Sequence, residues 1–220
     1  MRPSSRIARR ARPLLGTIVD IRIDGRPQAL ERAFAAIERV HRAMSAQEST
    51  SDIARLRAGR RVALDPWTRE VLDRAEEIRE LTDGLFDCAA CDYALDGIAK
   101  GFAVDRAVEC LQHAGVRAGV VNAGGDLRVF GEVFEPIQVR PPARPSELLT
   151  IGSARNAAVA TSARVGLVDP RAASPGAGAS GVTVIAGDCT TADALTKPCL
   201  LEPQRASEIA ARFGARAIVL

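Results

Sequence analysis

The sequence predicts an α+β fold, a mixed or antiparallel sheet with flanking helices. Three observations carry this prediction. Runs with helical spacing of apolar residues crowd the first half of the chain, short strand-like runs crowd the second, and no segment repeats. A chain of 220 residues suits one domain whose core needs no disulfide staples.

Residues 16–23 (GTIVDIRI) alternate apolar and polar side chains and predict a strand, which the turn pair Asp24-Gly25 closes. Over 27–44, Leu30, Phe34, Ile37, Val40 and Met44 recur at helical steps. The polar run 45–52 predicts a loop. A second helix is expected over 65–81, with Pro66 in its first turn, a stripe of Val71, Leu72, Ala75, Ile78 and Leu81, and Thr82-Asp83-Gly84 ending it. A third is expected over 98–114, with Val104, Val108 and Leu111 inward and Gly115 as its stop. Residues 119–122 and 127–130 predict strands joined by the tight turn Ala123-Gly124-Gly125-Asp126, a glycine-bent hairpin. Short strands are expected over 148–151, 157–161, 166–168 and 182–186, with a mobile Gly/Ala/Pro/Ser-rich loop over 172–180. A helix opens near Thr190 and is expected to kink or break at Pro198. Helix 204–213 and strand 215–219 complete the order.

Composition narrows the function classes. Apolar residues at 47% and charged residues at 26% exclude a disordered chain, and no apolar run approaches the ~20 residues of a membrane span. The net charge of +3 is set by Arg2, Arg6, Arg9, Arg10 and Arg12 at the start, beyond which acids slightly outnumber bases. That argues against a nucleic-acid surface and predicts a basic, disordered tail over 1–13 ahead of one domain over 14–220. All basic residues except Lys100 and Lys197 are arginine, so each lysine draws attention to its surroundings. An odd count of five cysteines, with no 7–15-residue apolar stretch behind the basic start, predicts a reduced, cytoplasmic protein. Cys88 and Cys91 form a C-x-x-C without a second ligand pair at zinc spacing, so they read as incidental thiols.

Three segments carry candidate chemistry. Asp96-Gly97-Ile98-Ala99-Lys100-Gly101 opens the third helix, where backbone N–H groups and a lysine suit phosphate oxygens. Asn122-Ala123-Gly124-Gly125-Asp126 permits close approach of backbone to a ligand. In Thr190-Thr191-Ala192-Asp193-Ala194-Leu195-Thr196-Lys197, a threonine can cap a helix, and Asp193 either favours the helix dipole or supplies an oxygen to Mg²⁺ beside phosphates. Alone, each reads equally as a cap or a turn.

Their order resembles that of the ApbE family, the FAD:protein FMN transferases. The run GIAKGFAVDRAVECLQHAGVRAGVVNAGGDLRVFG over 97–131 is similar to its central signature. Leu14-Leu15-Gly16-Thr17, Ser45 with Ser51-Asp52-Ile53-Ala54-Arg55-Leu56, Leu81-Thr82-Asp83-Gly84-Leu85-Phe86-Asp87, Ala160-Thr161-Ser162, Asp169-Pro170-Arg171 and Thr191-Ala192-Asp193-Ala194-Leu195 follow in the family's order, so nearly the whole chain is covered. The resemblance implies a trimmed ApbE-like, T-fold-like architecture. It also implies an activity: with Mg²⁺, FMN moves from FAD to a threonine or serine hydroxyl of an acceptor flavoprotein and AMP is released.

The resemblance further implies a site. Gly97 (through its carbonyl), Asp193 and Thr196 would hold the metal, with Asp193 also as base through it. Leu15, Lys100, Asn122, Gly124, Gly125, Asp126 and Leu167 would line the FAD site. The chain departs from the pattern at several places. The connection over 88–96 is short, Ala94 and Asp96 replace an aspartate and a glycine, and Gln47 replaces an aromatic. Gly166 stands where a histidine is usual, the tyrosine expected soon after Thr161-Ser162 is missing, and Lys197 replaces the threonine four residues after Asp193. On a helix Lys197 would pair with Asp193 and occupy space meant for Mg²⁺. The alternative to an active transferase is a degenerate relative that binds flavin or a protein partner only, or one that hydrolyses FAD to FMN and AMP.

Overall fold

The computed structural model describes residues 7–60, 63–141, 144, 146–176 and 178–220. Its centre is an antiparallel sheet of seven strands: β1 (Ile7–Leu14), β2 (Thr17–Asp24), β3 (Gly119–Ala123), β4 (Asp126–Phe130), β7 (Ala157–Ala163), β10 (Gly181–Ala186) and β11 (Arg216–Val219), in that spatial order. The helices are α1 (Gln28–Met44), α2 (Asp52–Arg57), α3 (Pro66–Leu81), α4 (Ala99–His113), α5 (Cys189–Leu201) and α6 (Ala206–Ala211). Two small hairpins stand apart from the sheet: β5 (Glu135–Val139) with β6 (Leu149–Ala154), and β8 (Val168–Asp169) with β9 (Ser174–Pro175).

Strand alternation explains the layering. Val121 and Ala123 of β3 join Val104, Val108 and Leu111 of α4 in the large core, whereas Val120 faces a smaller cluster with Leu127, Val129, Ile137 and Ala154. Helices α4 and α5 therefore cover one face, and the β5–β6 hairpin covers part of the other. On β4 the same alternation sends Asp126 and Arg128 to the α4 side, where they meet Lys100 and Asp105. Helix α3 enters the core through Trp67, whose ring lies edge-on to Phe102 with centroids 6.2 Å apart.

The expected elements formed close to their predicted bounds, with instructive exceptions. Of the basic tail expected over 1–13, residues from Ile7 onward belong instead to the edge strand β1 (Ile7–Leu14); residues 1–6 lie outside the described residues. Its arginines meet acids across the hairpin and on α1: Arg9 reaches Asp20 at 2.9 Å, Arg12 reaches Glu31 at 2.7 Å, and Arg10 pairs with Glu31 as well. Exposed pairs of this kind add little stability each, but a charged edge discourages pairing with other chains. Helix α2 begins at the last residue of the loop expected over 45–52 and runs into a stretch for which the sequence predicts no element. Its one and a half turns are too short for a periodic signal, and Ser51 Oγ caps it by accepting from Ala54 N at 3.0 Å. Pro198 does not end α5, which continues to Leu201. The segment expected as a mobile loop over 172–180 contributes strand β9.

Candidate functional site

Two helix starts meet at the site. Asp188 caps α5: its Oδ1 accepts from Thr191 N at 2.7 Å and its Oδ2 from Thr191 Oγ1 at 2.9 Å, so the cap precedes the predicted Thr190 or Thr191. Asp105 of α4, itself buried, accepts from Cys189 N at 2.9 Å, Thr190 N at 2.8 Å and Thr190 Oγ1 at 2.5 Å. Arg128 adds a charged donor to Asp105 at 2.7 Å. The helices cross so closely that a Cβ on Gly101 would sit 2.2 Å from the Cys189 carbonyl oxygen. In that gap Gly101 N donates to Asp193 Oδ2 at 3.1 Å. The amino end of the third predicted helix thus faces the carboxylate of Asp193, as the sequence suggests.

Some of the N–H groups expected to hold phosphate at this helix start have protein partners. Ala99 N donates to the Leu95 carbonyl at 2.8 Å and Gly101 N to Asp193. Side chains add to the attraction for an anion here, through Lys100 and Lys197 in the two neighbouring cavities.

Lys197 occupies the pocket expected for a metal. Its Nζ donates to Thr196 Oγ1 at 2.9 Å and to Ser162 Oγ at 3.1 Å, and lies 3.6 Å from Asp193 Oδ1. Thr196 Oγ1 in turn donates to the Asp193 carbonyl at 2.7 Å. Asp193 Oδ1 is fully buried and accepts no hydrogen bond. Lys197 Cε would lie 3.1 Å from a Cβ on Gly97, so Gly97 leaves room for the lysine stem. Asp193 and Thr196 face the Lys197 ammonium, and Gly97 lies against the lysine stem. Mg²⁺ demands a near-octahedral set of oxygens at about 2.1 Å. A divalent ion about 4 Å from a unit positive charge meets repulsion of order 8 kcal/mol at an effective dielectric constant of about 20. Among the described residues no group of three His, Cys, Asp or Glu side chains could hold a metal. The residues present therefore do not fit Mg²⁺ while Lys197 stands there.

Lys100 pairs with Asp126, which is 1% exposed. Burial draws the lysine downward, but the carboxylates of Asp193 and Asp126 outweigh it and hold it above its ordinary value. Burial pushes Asp126 up to about 7; Asp193 adds to the rise, and Lys100 and Lys197 oppose it. The two acids and two ammonium groups form one cluster with no excess of negative charge. A carboxyl raised in the folded state favours folding below its unfolded value of 3.8, and this contribution is lost as pH rises through about 7. Asp126→Asn should therefore gain stability relative to the parent chain between pH 4 and 8, by at most about 4 kcal/mol at ~1.4 kcal/mol per pH unit. Denaturant unfolding of both chains across that range checks it; parallel curves would show that Asp126 is not raised.

Two cavities share the wall at Asp96. One, of about 460 Å³, is lined by Phe86, Gly97, Ser162, Leu167 and Lys197 among others. The other, of about 390 Å³, is lined by Leu15, His41, Ala99 and Lys100 among others. The short connection over 88–96 thus leaves open space on both sides of the helix start.

The remaining sequence-predicted residues divide. Leu15 and Leu167 reach the cavities. Asn122, Gly124 and Gly125 are not among the residues lining them: Asn122 Oδ1 accepts from Gly125 N at 2.9 Å and braces the β3–β4 turn. Gly124, at φ +64°, lies against Thr17, where a Cβ would come within 2.3 Å of Oγ1. Ser162 and Asp105 were missing from the predicted site. Ser162 gives no signal beyond its place in Ala160-Thr161-Ser162, and the only hint for Asp105 is a single acid amid the apolar run of α4.

A single antiparallel sheet backed by crossing helices, with an acid–lysine cluster between two cavities, defines the class: an α+β domain organised around a charged cleft. The ApbE family matches residues 15–94 and 92–219, and the chain belongs to it. The FAD:protein FMN transferase of Rhodobacter capsulatus is 25% identical over 280 residues, covering 94% of this chain. The chain spans about half the length of that relative, 54%. The fold is shared with the ApbE protein of Thermotoga maritima (TM-score 0.83, 22% identity, 97% of this chain and 94% of that one). It is shared too with the flavin transferase ApbE of Vibrio cholerae (TM-score 0.81, 19% identity, 97% and 93%).

Proposed function

We propose that this chain transfers the FMN part of FAD to a threonine or serine hydroxyl of an acceptor flavoprotein, with release of AMP. The observation that carries the reading is the placement of the only two lysines: one lines each cavity, on either side of the wall at Asp96. FAD is itself two-armed about a diphosphate. A cleft with two chambers and an ammonium in each suits a dinucleotide whose charge lies in the middle. The relatives' names, which specify FAD, FMN and flavin transfer, support the same substrate.

In the reaction the acceptor oxygen forms a bond to the flavin-side phosphorus and the bond from that phosphorus to the bridging oxygen breaks. AMP leaves with that oxygen, and the hydroxyl proton ends in solvent. Such transfers depend on positioning and charge neutralisation. Lys100 and Lys197 would neutralise the diphosphate. Asp193 is a positioning residue, since its oxygens hold the start of α4 and face Lys197. Among the described residues no helix is long and apolar enough to cross a membrane. We place the chain in the cytoplasm on its odd cysteine count and the five free thiols.

The test mixes the purified chain with FAD and a flavoprotein acceptor, then measures AMP and covalent flavin fluorescence on the acceptor. Both should appear. AMP without labelled acceptor would indicate hydrolysis, and no binding of FAD at tens of micromolar would overturn the flavin reading.

A further inference from the structure

We propose that the Lys197 ammonium is the resident cation of this site, so that the chain holds a diphosphate without a divalent metal. The part concerning FAD rests on the function proposed above; the part concerning metal does not.

The pocket is built for a small cation. Three oxygens surround Lys197 Nζ: Thr196 Oγ1 at 2.9 Å, Ser162 Oγ at 3.1 Å and Asp193 Oδ1 at 3.6 Å. The last is fully buried and accepts no hydrogen bond, and the nearest cation to it is the Lys197 ammonium. An unpaired buried carboxylate oxygen is costly, and here the ammonium faces it. The amine has three donors, and the two hydroxyls account for two of them. Its side chain remains 28% exposed, toward the cavity lined by Gly97 and Leu167. A bound phosphate oxygen can therefore reach the same cation that Asp193 holds.

The surroundings are matched to lysine. Gly97 supplies the space that the stem uses, since a Cβ there would come within 3.1 Å of Lys197 Cε. The chain otherwise uses arginine for nearly all its positive charge. An ammonium is a compact point charge on a flexible stem, whereas a guanidinium is a broad planar fork. Only the former fits between two hydroxyls and a carboxylate in a pocket opened by a glycine. Lys197, Lys100, Asp126 and Asp193 form a cluster with no excess of negative charge, so a divalent ion added to it would be unbalanced.

The experiment uses the whole chain, stripped with EDTA and desalted. Mn²⁺ is the probe, followed by electron paramagnetic resonance as free ion is lost on binding. The parent chain should show no stoichiometric site up to millimolar Mn²⁺, and Lys197→Thr should gain one that Asp193→Asn in the same chain removes. FAD binding to the parent chain, followed by flavin fluorescence, should agree within twofold in EDTA and in Mg²⁺. For Lys197→Thr it should weaken about tenfold or more in EDTA and recover with Mg²⁺. One Mn²⁺ bound by the parent chain and lost on Asp193→Asn would overturn the proposal, whether or not Lys197→Thr folds. So would FAD binding that EDTA abolishes. If FAD binds under no condition, the flavin reading fails while the Mn²⁺ measurement still decides this one.

Discussion

Asp105→Ala should cost about 3–5 kcal/mol of folding stability, the range seen when one partner of a buried charged pair is removed. The carboxylate is 4% exposed and takes the first two backbone N–H groups of α5 together with the Thr190 hydroxyl. Those donors lie at a buried helix end and gain no substitute from alanine, so the penalty is that of unsatisfied polar groups as well as a lost ion pair. Arg128 moderates the loss because its side chain is 25% exposed and can turn to water. For a domain whose total stability is of order 5–15 kcal/mol, the chain would be brought near unfolding. The denaturant midpoint measures it. A loss under about 1 kcal/mol would mean that α5 holds its place against α4 by apolar packing alone.

That prediction also marks where the sequence was legible. Helices with long periodic stripes, such as α1 and α3, announce themselves because many positions repeat one signal. The glycine turn at 124–125 does so because two successive positive φ values, +64° and +106°, require glycine. Strand β1 was hidden because its arginines fall on both faces, Arg9 on one and Arg10 and Arg12 on the other, so no apolar alternation shows, and the acids that stabilise it, Asp20 and Glu31, lie on other elements. The site divides in the same way. Asp193 and Lys197 are four apart on one helix, so their pairing follows from spacing. Gly97, Ser162 and Lys197 come from three separate segments, and their convergence depends on the order of strands β7 and β10 in the sheet. The role of Asp105 is a tertiary capping role, and its place amid the apolar run of α4 hints at burial but not at the donors it accepts from on α5.

Lys100→Met should lower flavin transfer by about 10²–10³-fold, the loss typical when one preorganised donor to a developing charge is removed. The amine lines one cavity and has three donors, of which Asp126 engages one, leaving others for a diphosphate. The variant should fold, because Asp126, already pushed up to about 7 by burial and by Asp193, can take a proton once its partner is gone. Stability should consequently fall much less near pH 6 than near pH 8, whereas the loss in transfer should persist at both. Asp126→Asn leaves the ammonium in place and should have the smaller effect on transfer. This ordering separates a cation that acts on substrate from an ion pair that only steadies α4 against β4. In the second case Asp126→Asn, which breaks the same ion pair, would lose as much transfer as Lys100→Met. Adding Mg²⁺ should not rescue Lys100→Met if Lys197 already fills the neighbouring pocket. Rescue by the metal would show that the two ammonium groups do not divide the diphosphate between them.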